Sequence, residues 1–428
     1  MPVDIRRRDF LKSTAAAGLA AGLTRSATAA EASKPVRVGF IGVGSRGTGH
    51  VHFALQHGAE IPAVCDIDEA HLMRALDVVE KAGSRRPDGY SAGPTDYRRM
   101  LQRDDLDAVM IATPMQVHAV MSVDALRAGK HVLSEVAAAM TVDECWDLVH
   151  ATEETGRIYM LSENCCYWRH VMQIQNMIDQ GVFGDLTFAE CGYVHDCRGL
   201  SFDAQGKVTW RGELARDHRG NLYPTHSLGP VAKWLRINRG DRLVSLVASD
   251  TRQVGLRHFI ESKFPEGHPA RDLRFKVGDS TSVLIRTAKG ALVDLRYDTA
   301  SARPHPTTTY FSLQGMTASY DSRSGVWIEG RSKSYTEWEP LEAYQAEYDH
   351  PLWTADAQKA AGASHGGADF FVTREFYNCV RTESPPPVDV YDAAAWSAII
   401  PLSEQSLAEG GRPVEIPDFT GGKWEKRA

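Results

Sequence analysis

The run Val36-Arg37-Val38-Gly39-Phe40-Ile41-Gly42-Val43-Gly44-Ser45-Arg46-Gly47 decides how the rest of the chain is read. It opens as a short apolar stretch, the pattern of a buried strand, and breaks into glycines where a helix should begin. In such a turn Gly42 permits the tight bend, Gly44 lets backbone approach a pyrophosphate, and Gly47 lets the helix pack close to the strand. The helix start offers unpaired N–H groups and the positive end of a dipole, which suits a diphosphate. Glycine-rich turns are common, so context decides. Residues 48–57 leave room for a short crossover helix. Ile61-Pro62-Ala63-Val64-Cys65-Asp66 then reads as a second strand, ending in an acid at the spacing of about 20 residues expected for a ribose-binding carboxylate. A dinucleotide site follows, and Asp66 favours NAD over NADP because a carboxylate repels a 2′-phosphate.

Strand and helix go on alternating. Leu106–Ala112 reads as a buried strand that must turn at Thr113-Pro114, and Met115–Ala128 has helical spacing and stops at Gly129. His131–Glu135 is the next strand, Thr141 and Glu144 form a capping-box pattern, and Ile158–Leu161 supplies another strand. Such alternation predicts a doubly wound parallel sheet of the Rossmann kind, with its ligand at the carboxyl ends of the strands. The loop residues there are Thr113, Pro114, Met115, His118, Glu135 and Asn164. His118 falls inside the helix start, so a plain surface or core histidine stands beside a cofactor contact as its reading.

After Asn164 the pattern changes. A helix over Tyr167–Gln180 gives way to strand-like runs at Leu186–Tyr193, Leu243–Asp250, Ser280–Thr287, Ala291–Tyr297 and Thr309–Leu313. Strands in series predict a largely antiparallel sheet with helices on one face. The chain therefore divides into a nucleotide domain over 31–163 and a second α+β domain over 164–428. Trp210 to Trp234 interrupts the strands with a predicted loop dense in polar and aromatic groups, among them Trp210, Arg211, His218, Asn221, Tyr223 and His226. Its end should enter a helix through Val231 and Leu235, with Tyr223 and His226 facing the same way. A loop stapled by aromatics is the alternative. Zinc held by His195, His218 and His226 is conceivable, but no metal-binding spacing supports it, so no metal is expected.

The chain opens on Arg6-Arg7-Arg8-Asp9-Phe10-Leu11-Lys12, an Ala-rich run from Ala15 to Leu23, and small residues at Ala27-Thr28-Ala29. A basic start, a short apolar middle and an A-x-A end make a secretory signal over 1–30, too short for a membrane span. Arg7-Arg8 followed by Asp9-Phe10-Leu11-Lys12 resembles the bacterial twin-arginine signal, which exports proteins already folded to the periplasm or beyond. The rest of the 428 residues suffices for two domains with substantial cores. A net charge of −7 with no basic block argues against a nucleic-acid partner. Of seven cysteines, two of them adjacent and none in C-x-x-C, most read as small buried apolar residues.

Together these stretches resemble the glucose–fructose oxidoreductase and inositol dehydrogenase superfamily. The carriers are the Gly42–Gly47 turn, Ala112-Thr113-Pro114 with His118, and Ala128-Gly129-Lys130-His131-Val132. More specific stretches are similar to glycoside hydrolase family 109: Ser162-Glu163-Asn164, Tyr193-Val194-His195-Asp196, Arg219–His226, Gly229-Pro230, His365–Phe371 and Val388–Ala394. The activity this resemblance implies is NAD-dependent cleavage of α-N-acetylgalactosaminides. It implies NAD contacts at Ser45, Arg46, Asp66, Met115, Gln116, His118, Glu135, Val136 and Asn164. It implies substrate contacts at Tyr193, Arg211 and Tyr223, with Tyr223–His226 near both ligands. Two departures stand out. Val136 occupies the slot of the superfamily's catalytic lysine, followed by Ala137 instead of proline, and His305 takes the tyrosine place of an Arg-Pro-Tyr substrate motif.

The implied path oxidises the sugar at C3, loses the acidified C2 proton with the C1 substituent, adds water and restores the C3 hydroxyl; NAD-dependent glycosidases are an exception to two-carboxylate chemistry. His226 is the expected base, because imidazole titrates near neutral pH. Tyr223 shares proton transfer or orients the sugar, Arg211 binds a hydroxyl or stabilises enolate charge, and Glu135 orients either the nicotinamide ribose or His226. A net sugar oxidoreductase and a non-catalytic sugar- or nucleotide-binding protein are the alternatives. An exposed sheet face in the second domain would suit a homo-oligomer.

Overall fold

A computed structural model describes residues 34–304 and 309–427. The export segment and His305 lie outside the described residues.

The first sheet consists of β1 (Val38–Ile41), β2 (Ala63–Cys65), β3 (Asp88–Tyr90), β4 (Ala108–Ile111), β5 (His131–Ser134) and β6 (Tyr159–Leu161). All pairs are parallel, in the order β3-β2-β1-β4-β5-β6. Strand order reverses between β1 and β4, which opens a crevice at their carboxyl ends. β1, β2, β4 and β6 are buried along their whole length, as continuous apolar runs covered on both faces should be. The expected capping box is formed: Thr141 Oγ1 accepts from the Glu144 N–H and the Glu144 carboxylate from the Thr141 N–H, starting the helix Val142–Thr155.

The second sheet is larger than the sequence suggested. It contains β7 (Leu186–Val194), β8 (Leu243–Asp250), β9 (Thr281–Thr287), β10 (Leu292–Asp298), β11 (Thr309–Gly315), β12 (Ala318–Asp321), β13 (Gly325–Ile328) and β14 (Val414–Glu415). Its order is β13-β12-β11-β7-β10-β9-β8-β14. Every pair is antiparallel except β7 with β10, so the sheet is mixed at its centre. β9 alternates strictly, with Thr281, Val283, Ile285 and Thr287 buried and Ser282, Leu284 and Arg286 exposed. The inner face is covered by the helices Thr225–Trp234 and Ile399–Ala408.

Two expectations need correction. The predicted loop after Trp210 begins as a helix, Trp210–Asp217, whose first turn is capped by the Thr209 hydroxyl and carries Glu213. The C-terminal segment also returns to the first sheet. The helix Ala368–Thr382 packs on Ser45–Gln56, and Val390–Ser397 packs on Val142–Thr155 and β6. Cysteines behave as expected: six are buried, Cys197 is half-buried, and all seven are free. Among the described residues no helix is long and apolar enough to cross a membrane.

Candidate active site

Gly42 has φ +82°, and a Cβ there would lie 2.9 Å from the Ala112 carbonyl. A Cβ on Gly47 would sit 2.0 Å from the Gly42 carbonyl oxygen, which no side chain tolerates. Both glycines are therefore required by close approach. The helix Ser45–Gln56 starts with no side-chain cap and no acid in its first turn, leaving its amides for an anion. At the end of β2, Asp66 is fixed by the Val43 N–H at 2.7 Å and the Asp68 N–H at 2.8 Å. Gln116 donates to the Trp210 carbonyl at 3.3 Å, while its buried Oε1 has no partner among the described residues. A glycine cradle, free helix amides, a fixed acid and an orphaned amide oxygen fit a dinucleotide.

The remaining predicted cofactor residues fall into two groups. Arg46, Glu135 and Asn164 form a polar cluster. Glu135 Oε1 accepts from Arg46 Nε at 2.6 Å and pairs with His50 Nε2 at 2.7 Å. Burial would raise the Glu135 carboxyl, but the Arg46 guanidinium and His50 hold it well below the usual carboxylate range. Burial and Arg46 together lower the pKa of His50. The Arg46 guanidinium also donates to both oxygens of Asp369, at 2.7 and 2.8 Å, and Asn164 Nδ2 donates to the same carboxylate at 2.8 Å. Met115, His118 and Val136 are instead core residues. His118 is wedged between the Ala137 carbonyl at 2.8 Å and the Thr113 carbonyl at 2.7 Å, so its ring braces two loops and has no nitrogen left for a ligand. Val136 is joined to Ala137 by a cis peptide bond.

Facing this cluster is the start of the helix Thr225–Trp234. His226 Nδ1 is bonded to Glu163 Oε1 at 2.7 Å, and Glu163 is fully buried at the end of β6. Glycine at 229 makes this possible, because a Cβ there would lie 3.0 Å from Glu163 Cγ. Burial disfavours the imidazolium, but the Glu163 carboxylate outweighs it and raises the His226 pKa above its ordinary value. The His226 side chain is 17% exposed, and its Nε2 has no partner among the described residues. Tyr223 lies 5.1 Å and Tyr193 5.7 Å from it, ring centre to ring centre, and the two tyrosines are 5.2 Å apart. Arg211 stacks on Trp210 at 4.1 Å and makes no hydrogen bond or ion pair among the described residues. Arg211, Tyr193, Tyr223 and Trp210 line one cavity.

Glu135 therefore holds Arg46 and His50, and the carboxylate that holds His226 is Glu163. The three histidines weighed for zinc do not form one set. His218 pairs with Glu404 at 3.0 Å, and the imidazole, carboxylate and thiol within 4.8 Å of one another are those of His226, Glu163 and Cys165. There the Cys165 N–H and His226 share Glu163 Oε1, a hydrogen-bonded set. Sequence reasoning missed Glu163, His50 and Asp369 as site residues. An acid at the carboxyl end of a parallel strand was the available signal for Glu163, and a charge inside the apolar run Ala368–Phe371 the signal for Asp369.

The fold is that of an NAD-binding Rossmann domain joined to a second α+β domain. The family model described as oxidoreductase family, NAD-binding Rossmann fold, matches residues 36–163, and the cofactor is NAD. Solved structures share the fold over 90% of this chain: levoglucosan dehydrogenase in complex with NADH (TM-score 0.70, 18% identity, all of that chain covered) and an inositol dehydrogenase homologue from Azotobacter vinelandii with NADH and myo-inositol (TM-score 0.65, 18% identity, 98% of that chain).

The model for the C-terminal domain of glycosyl hydrolase 109 matches residues 167–426. A glycosyl hydrolase family 109 protein of Solibacter usitatus is 39% identical over 435 residues, and an alpha-N-acetylgalactosaminidase of Tannerella forsythia is 38% identical over 461, each covering 98% of both chains. The chain belongs to glycosyl hydrolase family 109, the NAD-using glycoside hydrolases. A twin-arginine signal matches residues 4–24, so the protein is exported to the periplasm or beyond.

Proposed function

We propose that the protein hydrolyses α-N-acetylgalactosaminides, the substrate named for its Tannerella relative, with His226 as the proton-transferring group. The observation that carries this reading is the Glu163–His226 pair: a buried carboxylate fixes one ring nitrogen and leaves the other without a partner among the described residues, in a ring packed beside two tyrosines that line a cavity with an unpaired arginine. When bound, NAD supplies oxidation of the sugar at C3 and its reversal. Ser45, Arg46, Asp66 and Gln116 hold it from the first domain, with Glu135 and Asn164 fixed behind them. His226 Nε2 takes the C2 proton, helped by the Tyr223 hydroxyl, and passes it to the C1 substituent, which leaves as its alcohol; when water adds at C1, the ring takes a proton from the water and delivers it to C2. Arg211 donates to the developing enolate oxygen, and Tyr193 packs against the sugar face. His305 belongs to the same substrate region by its place in the motif.

The division of labour follows the boundary near residue 163, with the nucleotide on residues 31–163 and the substrate on residues 164–428. The exposed face of the second sheet, where Leu284 is 46% exposed, favours assembly with a second copy of the chain.

A screen of chromogenic α- and β-glycosides tests the substrate. The protein, freed of loose nucleotide, should turn over an α-N-acetylgalactosaminide for many cycles with no added NAD. Stoichiometric NADH and an oxidised sugar would show a net oxidoreductase instead.

A further inference from the structure

We propose that Asp369 is a positioning residue that latches the C-terminal helix onto the nucleotide turn and so keeps NAD from leaving between turnovers. The inference rests on the proposed recycling of one NAD within each catalytic cycle.

Three residues that the resemblance assigns to NAD are wired to this one carboxylate, which it does not assign. Arg46 grips it with both terminal nitrogens, Asn164 donates to it directly, and Glu135 reaches it through Arg46. Asp369 is fully buried, and it also accepts from His365 Nδ1 at 2.8 Å and from the Ser364 hydroxyl. A carboxylate used by five donors has no freedom to follow a moving partner. The fork between Arg46 and Asp369 is bidentate and charge-assisted, which fixes orientation as well as distance.

The two residues are far apart in the chain. Arg46 follows directly on Ser45, the first residue of the helix whose free amides face the anion site. Asp369 is in the first turn of Ala368–Thr382, which enters from left-handed backbone at His365, Gly366 and Gly367. This helix is also tied to the C-terminal cap of the same nucleotide-domain helix, His57. His57 Nε2 meets the Phe370 carbonyl at 3.0 Å, and Arg381 donates to the His57 carbonyl at 3.1 Å. Lifting the C-terminal helix from the turn would therefore strip Arg46 of one of its two carboxylate partners and expose a buried carboxylate. Breaking a buried charge pair acts chiefly on the rate of dissociation.

The test compares NAD(H) release from wild-type protein and D369N. Each is passed through a desalting column, its bound nucleotide is counted by mass analysis, and release is followed by loss of NADH fluorescence into an excess of a competing NADH-binding enzyme. Wild type should stay loaded. D369N should release roughly tenfold faster or more, with its fold checked by circular dichroism. H365A removes a half-exposed donor to the same carboxylate and should speed release by a smaller factor, which keeps the test open if D369N does not fold. A folded D369N that releases at the wild-type rate overturns the latch, as does an unchanged H365A beside an unfolded D369N. Wild-type protein that empties on the column overturns the latch and the recycling it serves, whereas retention in wild type with no change in the variants overturns the latch alone.

Discussion

Replacing His226 with alanine should stop glycoside cleavage while NAD stays bound. A positioned general base contributes about 10² to 10⁴-fold, so the loss should be far outside assay error. The nucleotide should be retained because its turn, its acid and its polar cluster are built without His226. Turnover of a chromogenic glycoside and mass analysis of bound nucleotide check the two halves separately. Cleavage within a few-fold of wild type would remove His226 from the chemistry.

The second large effect belongs to Glu163. Its carboxylate raises the His226 pKa against the pull of burial, so the neutral, proton-accepting ring predominates only above that raised value. Activity should then fall on the acid side as the imidazole protonates. In E163Q the charge is gone, the ring protonates at lower pH, and the acid limb of the kcat profile should move toward acid. The plateau should nevertheless drop, by about 10²-fold, the lower end of a general base's contribution. The ring is then a weaker base, and its tautomer is no longer fixed. A shifted limb separates this role from a merely structural one, which would lower the rate without moving the limb. An unmoved limb with an intact fold would mean that another group sets the profile.

How much of this was legible depended on whether the cause was local. The Gly42–Gly47 turn, Asp66 and five of the six strands of the first sheet could be read because buried parallel strands are unbroken apolar runs ended by turn residues, whereas β3, a polar and largely exposed edge strand, could not. β8 and β9 were legible as long strand-like runs. β12, β13 and β14 were not, being too short, at four, four and two residues, for any period to register. Trp210–Asp217 was hidden by its polar composition, although Thr209 and Glu213 mark its start. The site divided in the same way. Tyr223 and His226 could be paired because a helix start brings residues three apart together. Glu163 lies 63 positions from His226 and Asp369 lies 323 from Arg46, separations that only the tertiary fold closes. His118 shows the converse: its place in a cofactor motif was legible, but the two carbonyls that occupy its ring were not.

Cleavage in this mechanism runs through loss of the sugar's C2 proton, with His226 moving protons and NAD recycled in place. The direct measurement is turnover of an α-N-acetylgalactosaminide in deuterated water with no added nucleotide, followed by NMR of the released sugar. Deuterium at C2, many turnovers per bound NAD and no exchange in H226A are the expected results. Cleavage that leaves C2 fully protonated and continues after NAD is removed would contradict this mechanism.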